Sequence, residues 1–240
     1  ILKRAKKLKN KEIKFKDFYK SYILNKVNEF PLVDAKMAVS KDYFTINKKS
    51  KWITNLRSRQ VAHLIRSKYD CIVSTSNSIN KDDSLLNCRI DGFNNYKPDL
   101  IIIDRKLKLK KKLKLYNFTN KRRTYIFTTS NDNKKLSFFK KKRIKIIKID
   151  KLENNNDFKN LFKKIFKIGK GRVLVEAGLV FLKELFKFKI INDLYLFKSN
   201  IILRNKGLNN TSINFLRKIK LIKNINVNLI NDKLYKIRIK

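Results

Sequence analysis

Little in this chain of 240 residues punctuates a backbone or builds a cross-linked scaffold: 5 Gly, 2 Pro, 2 Cys and 1 His. With only Cys71, Cys88 and His63 to draw on, a conventional zinc cluster is excluded and a disulfide framework is not expected. Both thiols read as reduced and structural, and His63 as a surface or helix-packing residue. Missing too is any apolar run of the roughly 18 residues that a membrane span needs, and the lysine-rich start lacks the apolar segment of a secretory signal. A cytoplasmic protein without a membrane partner is the expectation. Acidic residues are scarce, 19 against 61 Lys and Arg, for a formal charge of +42.

Such a charge invites a basic RNA- or ribosome-associated binding protein, since clustered lysines displace counterions from phosphates. The excess is mostly lysine, however, in a chain also crowded with Asn, Ile and Phe, the bias of an AT-rich genome acting on a solvated surface. The lysines interrupt apolar positions regularly, as in Arg143-Ile144-Lys145-Ile146-Ile147-Lys148-Ile149. That pattern suits strand faces and edges more than a basic tail, and nucleic acid is the lesser expectation.

What is present is an alternation of short apolar runs with helical patterns. Residues 1–30 suggest a basic helix that Pro31 stops, and Leu32–Val39 then reads as a strand with Lys36 as a conspicuous interruption. A helix capped by Thr54 or Asn55 buries Val61, Leu64 and Ile65 and leads into a strand at Cys71-Ile72-Val73. The polar stretch Ser74–Arg89 reads as an unusually long loop, a length that often carries function. Strands follow at Leu100–Ile103, Tyr125–Phe127 and Ile144–Ile149, with a short helix near 132–141. Phe158, Leu161, Phe162, Ile165 and Phe166 line one face of a further helix.

Arg172-Val173-Leu174-Val175 then delivers Glu176 to a strand-to-helix turn, Ala177-Gly178, the kind of carboxyl end at which open α/β sheets bind ligands. Leu194–Phe197 adds a strand, and 219–229 with 234–239, around Asn231-Asp232, predicts a terminal antiparallel hairpin. The fold class is α/β, a mostly parallel sheet with helices on both faces and a C-terminal antiparallel hairpin.

Several pieces occur in an order that resembles one family: Ala35-Lys36-Met37-Ala38-Val39-Ser40-Lys41-Asp42, Ser50-Lys51-Trp52-Ile53-Thr54, Arg66, Asn80 to Arg89 with its paired aspartates, and Val175-Glu176-Ala177-Gly178. Together they are similar to the reductase domain of the bifunctional riboflavin-biosynthesis deaminase/reductase, from about Pro31 to the C-terminus. The resemblance implies a dihydrofolate-reductase-like three-layer fold and NADPH-dependent reduction of a phosphoribosylaminopyrimidine to its ribitylamino form. It implies substrate contacts at Ser50, Arg66, Leu86, Arg89 and Glu176, and cofactor contacts at Ala38, Trp52, Ser78, Asp82 and the turn beginning at Gly178.

A homodimer and a phosphorylated pyrimidine substrate are implied with it. The zinc-deaminase half of that family has no counterpart in these residues, so 1–30 reads as the end of an upstream deaminase domain or its linker, and 31–240 as the reductase domain. The first residue, Ile1, fits a piece of a longer protein. Three departures stand out: Asp42-Tyr43 where aspartate-glycine is usual, Arg204 in a segment that normally carries glycine, and Ser84 in place of proline. A reductase-like domain without activity is compatible with them.

Overall fold

The structure, a computed structural model, describes residues 12–92 and 97–239. Helix α1 (Glu12–Asn28) precedes β1 (Leu32–Val39), and a short β2 (Ile46–Asn47) leads to α2 (Leu56–Arg66), β3 (Cys71–Thr75) and α3 (Ser76–Asp82). Next come β4 (Asp99–Ile103), a 3-10 turn at Lys114–Phe118, β5 (Thr124–Thr128), α4 (Asn133–Lys141), β6 (Lys145–Lys148) and α5 (Asn155–Lys167). The last third holds β7 (Arg172–Val175), α6 (Leu179–Lys187), β8 (Asp193–Lys198), β9 (Gly207–Leu208), α7 (Asn214–Arg217) and β10 (Lys233–Arg238). The first eleven residues of the expected linker lie outside the described residues.

Eight strands form one sheet in the order β10-β8-β1-β7-β3-β4-β5-β6, parallel throughout except where β10 meets β8. Alternation along each strand feeds two separate cores, one on each face. Val173 and Val175 point to the face covered by α5 and α6, with Phe162, Ile165, Leu182 and Leu185. Leu174 points to the other, with Ile72, Leu100, Ala62 and Ile65 of α2, and Phe139 of α4. Apolar runs without polar alternation are what strands buried on both faces require, and the layers are those the sequence leads one to expect. Helix α5 starts with reciprocal caps: Asp157 N–H donates to Asn154 Oδ1 at 3.0 Å, and Asn154 N–H to the Asp157 carboxylate at 3.3 Å.

The polar stretch Ser74–Arg89 is not a loop throughout. Its first part completes β3 and forms α3, capped by Thr75, whose side chain accepts from Ser78 N–H. Only Ser76 and Ile79 of that helix are buried, too few for an apolar period to show.

The expected terminal hairpin is corrected as well. Strand β10 is antiparallel, but its partner is β8, with Leu234 opposite Phe197 and Ile237 opposite Leu194. Residues 219–229 form no strand and touch β10 through a single bridge, Asn224 to Tyr235. Asp232 is pinned instead to the start of α2, accepting from Asn55 N–H (2.9 Å) and Ser58 Oγ–H (2.7 Å). That anchorage leaves Leu234 to bury itself on the open edge of β8.

Tyr43 and Arg204 both adopt positive φ, 67° and 49°, without glycine. One carboxylate organises both: Asp42 accepts from Ser40 Oγ–H (2.6 Å), Leu203 N–H (3.1 Å) and Arg204 N–H (2.8 Å). Lys198 Nζ stands 4.2 Å from the centre of the Tyr43 ring. These contacts hold two residues in the left-handed region, at a cost of about 1–2 kcal/mol each.

Candidate active site

Strands β1, β7 and β3 lie side by side, and their carboxyl ends define the site. Glu176 directly follows β7; its N–H donates to Val73 O (2.9 Å), and its carbonyl accepts from Ser74 Oγ–H (2.7 Å). With the backbone fixed, the side chain turns inward, to 8% exposure, where a carboxylate must be paired. Arg66 at the end of α2 supplies the fork, Nε to Oε1 at 2.6 Å and Nη2 to Oε2 at 2.9 Å, and Lys36 Nζ from β1 lies 3.5 Å from Oε2. Burial alone would push the Glu176 carboxyl up, but the Arg66 and Lys36 cations outweigh it and hold it down at about 2. Burial dominates at Lys36, whose ammonium is pulled below the ordinary lysine range despite Glu176.

Lys36 was visible in the sequence only as an interruption; a lysine at an inward position of a buried strand signals a partner, because lysine is almost never fully buried unpaired. His63, expected as a surface or helix-packing residue, packs within the helix and also meets the site's arginines. It is 8% exposed, one turn before Arg66 on the same face of α2. Its Nδ1 lies 2.9 Å from Asn87 O and 3.3 Å from Arg66 Nη1, and its Nε2 3.2 Å from Arg89 Nη2. Arg66 Nη1 also donates to Asn87 O (3.0 Å). Thus Arg66, Arg89 and Glu176 come together as the sequence suggested, with Lys36 and His63 added. Arg66 spends its bidentate geometry on Glu176, which leaves the exposed Arg89 as the accessible guanidinium. Leu86 contributes its side chain to the core beneath, at a positive φ of 51°.

Two residues along, Gly178 N–H donates to Ser78 Oγ (3.0 Å), and Thr75 Oγ1 sits 3.0 Å from the same hydroxyl. This joins two of the expected cofactor residues from different elements. Gly178 is the N-cap of α6; its φ of −66° makes no use of glycine's freedom, and an added Cβ would meet Ser78 Oγ at 3.5 Å, an ordinary contact. What the glycine does leave is a helix start without a side-chain cap and without an acid in its first turn.

Trp52 is 48% exposed and so not a core aromatic; the Arg59 guanidinium stands 4.6 Å and the Lys51 ammonium 5.4 Å from its ring centres. Lys51 Nζ also donates to Asp82 O (2.9 Å), tying this loop to the end of α3. Trp52 N–H donates to the exposed Ser50 (3.2 Å). Ala38, half-buried near the carboxyl end of β1, pairs with Phe197 of β8. Trp52, Ile53, Ile201, Ile230 and Asp232 border a mainly apolar cavity of about 440 Å³.

A three-layer α/β domain whose parallel strands end in a buried carboxylate, a buried guanidinium, a partly buried ammonium and an uncapped helix start defines a class of ligand-binding α/β proteins. The chain belongs to the RibD C-terminal domain family, whose sequence model matches residues 31–209. It is 30% identical over 181 residues to the riboflavin biosynthesis protein RibD of Aquifex aeolicus, covering 73% of this chain and 48% of that one. The chain spans about half the length of the curated relatives it matches.

Among solved structures, a Thermotoga maritima diaminohydroxyphosphoribosylaminopyrimidine deaminase/5-amino-6-(5-phosphoribosylamino)uracil reductase superposes with a TM-score of 0.71 at 22% identity, over 95% of this chain and 62% of that one. The Saccharomyces cerevisiae riboflavin biosynthesis reductase Rib7 gives 0.69 at 19% identity, over 93% and 98%. Among the described residues, no helix is long and apolar enough to cross a membrane.

Proposed function

We propose that this chain carries the reductase activity of its family: NADPH-dependent reduction of 5-amino-6-(5-phosphoribosylamino)uracil to the ribitylamino product. The observation that carries this is the Lys36–Glu176–Arg66 constellation at the carboxyl ends of β1 and β7, beside the open start of α6. The residues present fit an anionic dinucleotide. The first N–H groups of α6 have no acceptor within the helix and face no acidic side chain of its first turn, and Trp52 offers a flat ring flanked by cations. Ala38, Ser78, Asp82 and Gly178 complete the cofactor side, and Ser50, Arg66, Leu86, Arg89 and Glu176 the substrate side.

NADPH, when bound, supplies the hydride. Reduction at the sugar carbon bearing nitrogen breaks that carbon's bond to the ring oxygen, which is left in need of a proton. Lys36 Nζ is suited to give it, because burial loosens its hold on the proton while Glu176 keeps it in place. Arg89 binds the substrate phosphate by charge-assisted hydrogen bonds, and the excess of positive charge steers both anionic ligands inward. The same reading takes the protein as a cytoplasmic homodimer, with 1–30 as the linker from an upstream deaminase domain. NADPH at about a hundred times its Kd should stabilise the fold by about 2.7 kcal/mol, read as a rise in Tm. An unchanged Tm at millimolar NADPH would contradict it.

A further inference from the structure

His63 belongs to no expected set of ligand contacts, yet it lies between two guanidinium groups, 3.3 Å from Arg66 Nη1 and 3.2 Å from Arg89 Nη2. An imidazole in that place must be neutral, since a third cation would face Arg66, Arg89 and, behind them, Lys36, with only Glu176 of opposite sign. Burial first, and Arg66 next, push its pKa down to about 4. A neutral ring has one N–H and one lone pair. Nδ1 faces one acceptor, Asn87 O at 2.9 Å, and two more distant donors, Arg89 N–H at 3.2 Å and Arg66 Nη1 at 3.3 Å, whereas Nε2 faces only the donor Arg89 Nη2. The tautomer that gives both ring nitrogens a partner carries its proton on Nδ1 and receives Arg89 Nη2–H at the Nε2 lone pair. Asn87 O also accepts from Arg66 (3.0 Å), so this one carbonyl ties His63 to the other arginine.

Arg89 itself is exposed and carries a long side chain, whose freedom must be lost when it clasps an anion. We propose that His63 is a positioning residue: as a neutral acceptor it holds the Arg89 guanidinium beside Arg66 in advance, and thereby sets affinity for phosphorylated sugars without touching them. The proposal rests on reading Arg89 as the phosphate contact, and its test does not require turnover.

Ribose 5-phosphate titrated calorimetrically into the whole chain should bind about tenfold more weakly to His63→Leu, the loss expected for one hydrogen bond to a charged group. His63→Gln, whose amide oxygen can reach the Nε2 position, should stay within about threefold of the parent, and NADPH affinity should be the same in all three proteins. Equal ribose 5-phosphate affinity in the Leu variant overturns the proposal, as does absence of binding to the parent, or a parallel loss of NADPH affinity that marks general damage. Failure of reductase turnover with these affinities as expected would strike the proposed reaction alone.

Should the Leu variant not fold, the parent still decides. His63 is the only histidine, so its nitrogen NMR signals need no assignment. They should report a neutral Nδ1–H ring at pH 6 whose Nε2 signal moves on adding ribose 5-phosphate. An imidazole titrating at the ordinary 6.5, or an Nε2–H ring, overturns the proposal.

Discussion

Arg66 and Glu176, 110 positions apart, meet in a two-pronged ion pair of 2.6 and 2.9 Å. The pair closes the end of the sheet and orients the site in one arrangement. Replacing Glu176 with Gln therefore does more than weaken substrate binding, because Arg66 and Lys36 would then face each other buried without a counter-charge. A loss of about 3 kcal/mol at pH 6 is expected from urea unfolding. The Glu176 pKa is depressed on folding, from 4.5 to about 2, so its contribution is present above pH 4.5 and fades as pH falls toward 2. The difference between parent and Glu176→Gln should accordingly shrink between pH 6 and pH 3.5; a constant difference would show that the carboxylate's charge is not what stabilises.

Lys36 separates chemistry from stability. Its burial penalty roughly offsets its attraction to Glu176, so Lys36→Met should change unfolding free energy by no more than about 1 kcal/mol. Turnover should fall by at least about a hundredfold if Nζ delivers the proton, the lower end of the usual range for acid catalysis. Retained kcat in a folded variant would remove Lys36 from the reaction.

Trp52 tests the cofactor face. Because it is 48% exposed, Trp52→Ala should cost no more than about 0.5 kcal/mol of stability. NADPH should bind roughly tenfold more weakly, as loss of a stacking face of about 1.4 kcal/mol implies. Fluorescence titration of NADPH against both proteins reads this directly, and equal affinities would place the cofactor elsewhere.

Arg204 bears on the departures from the family pattern. Its φ of 49° is held by Asp42, and its side chain is exposed. Arg204→Gly relieves the left-handed strain while adding freedom to the unfolded chain, for a net gain of about 0.5–1 kcal/mol. Destabilisation in thermal melts would mean that the arginine makes contacts worth more than its strain.

Where side chains alternate or repeat with a clear period, the structure was legible in advance: the strands at Leu32–Val39 and Leu100–Ile103 and the Phe158–Ile165 helix lie where their apolar residues place them. Helix α3 escaped because its residues are polar and two caps, not a buried face, define it. The partner of β10 escaped because register at an edge depends on which edge is open, and Asp232 settles that through α2. In the site, Glu176 announced itself by ending an apolar run. Lys36 and His63 did not, since their meaning lies in partners 140 and 26 positions away. Spacing alone could have linked His63 to Arg66, three residues apart on one helix.

The most direct measurement is substrate-dependent NADPH oxidation by the purified chain, followed with 5-amino-6-(5-phosphoribosylamino)uracil and the ribitylamino product identified by mass. Saturable turnover that Lys36→Met lowers by at least about a hundredfold is the expected result. A folded protein that binds NADPH and the substrate yet yields no ribitylamino product would contradict it.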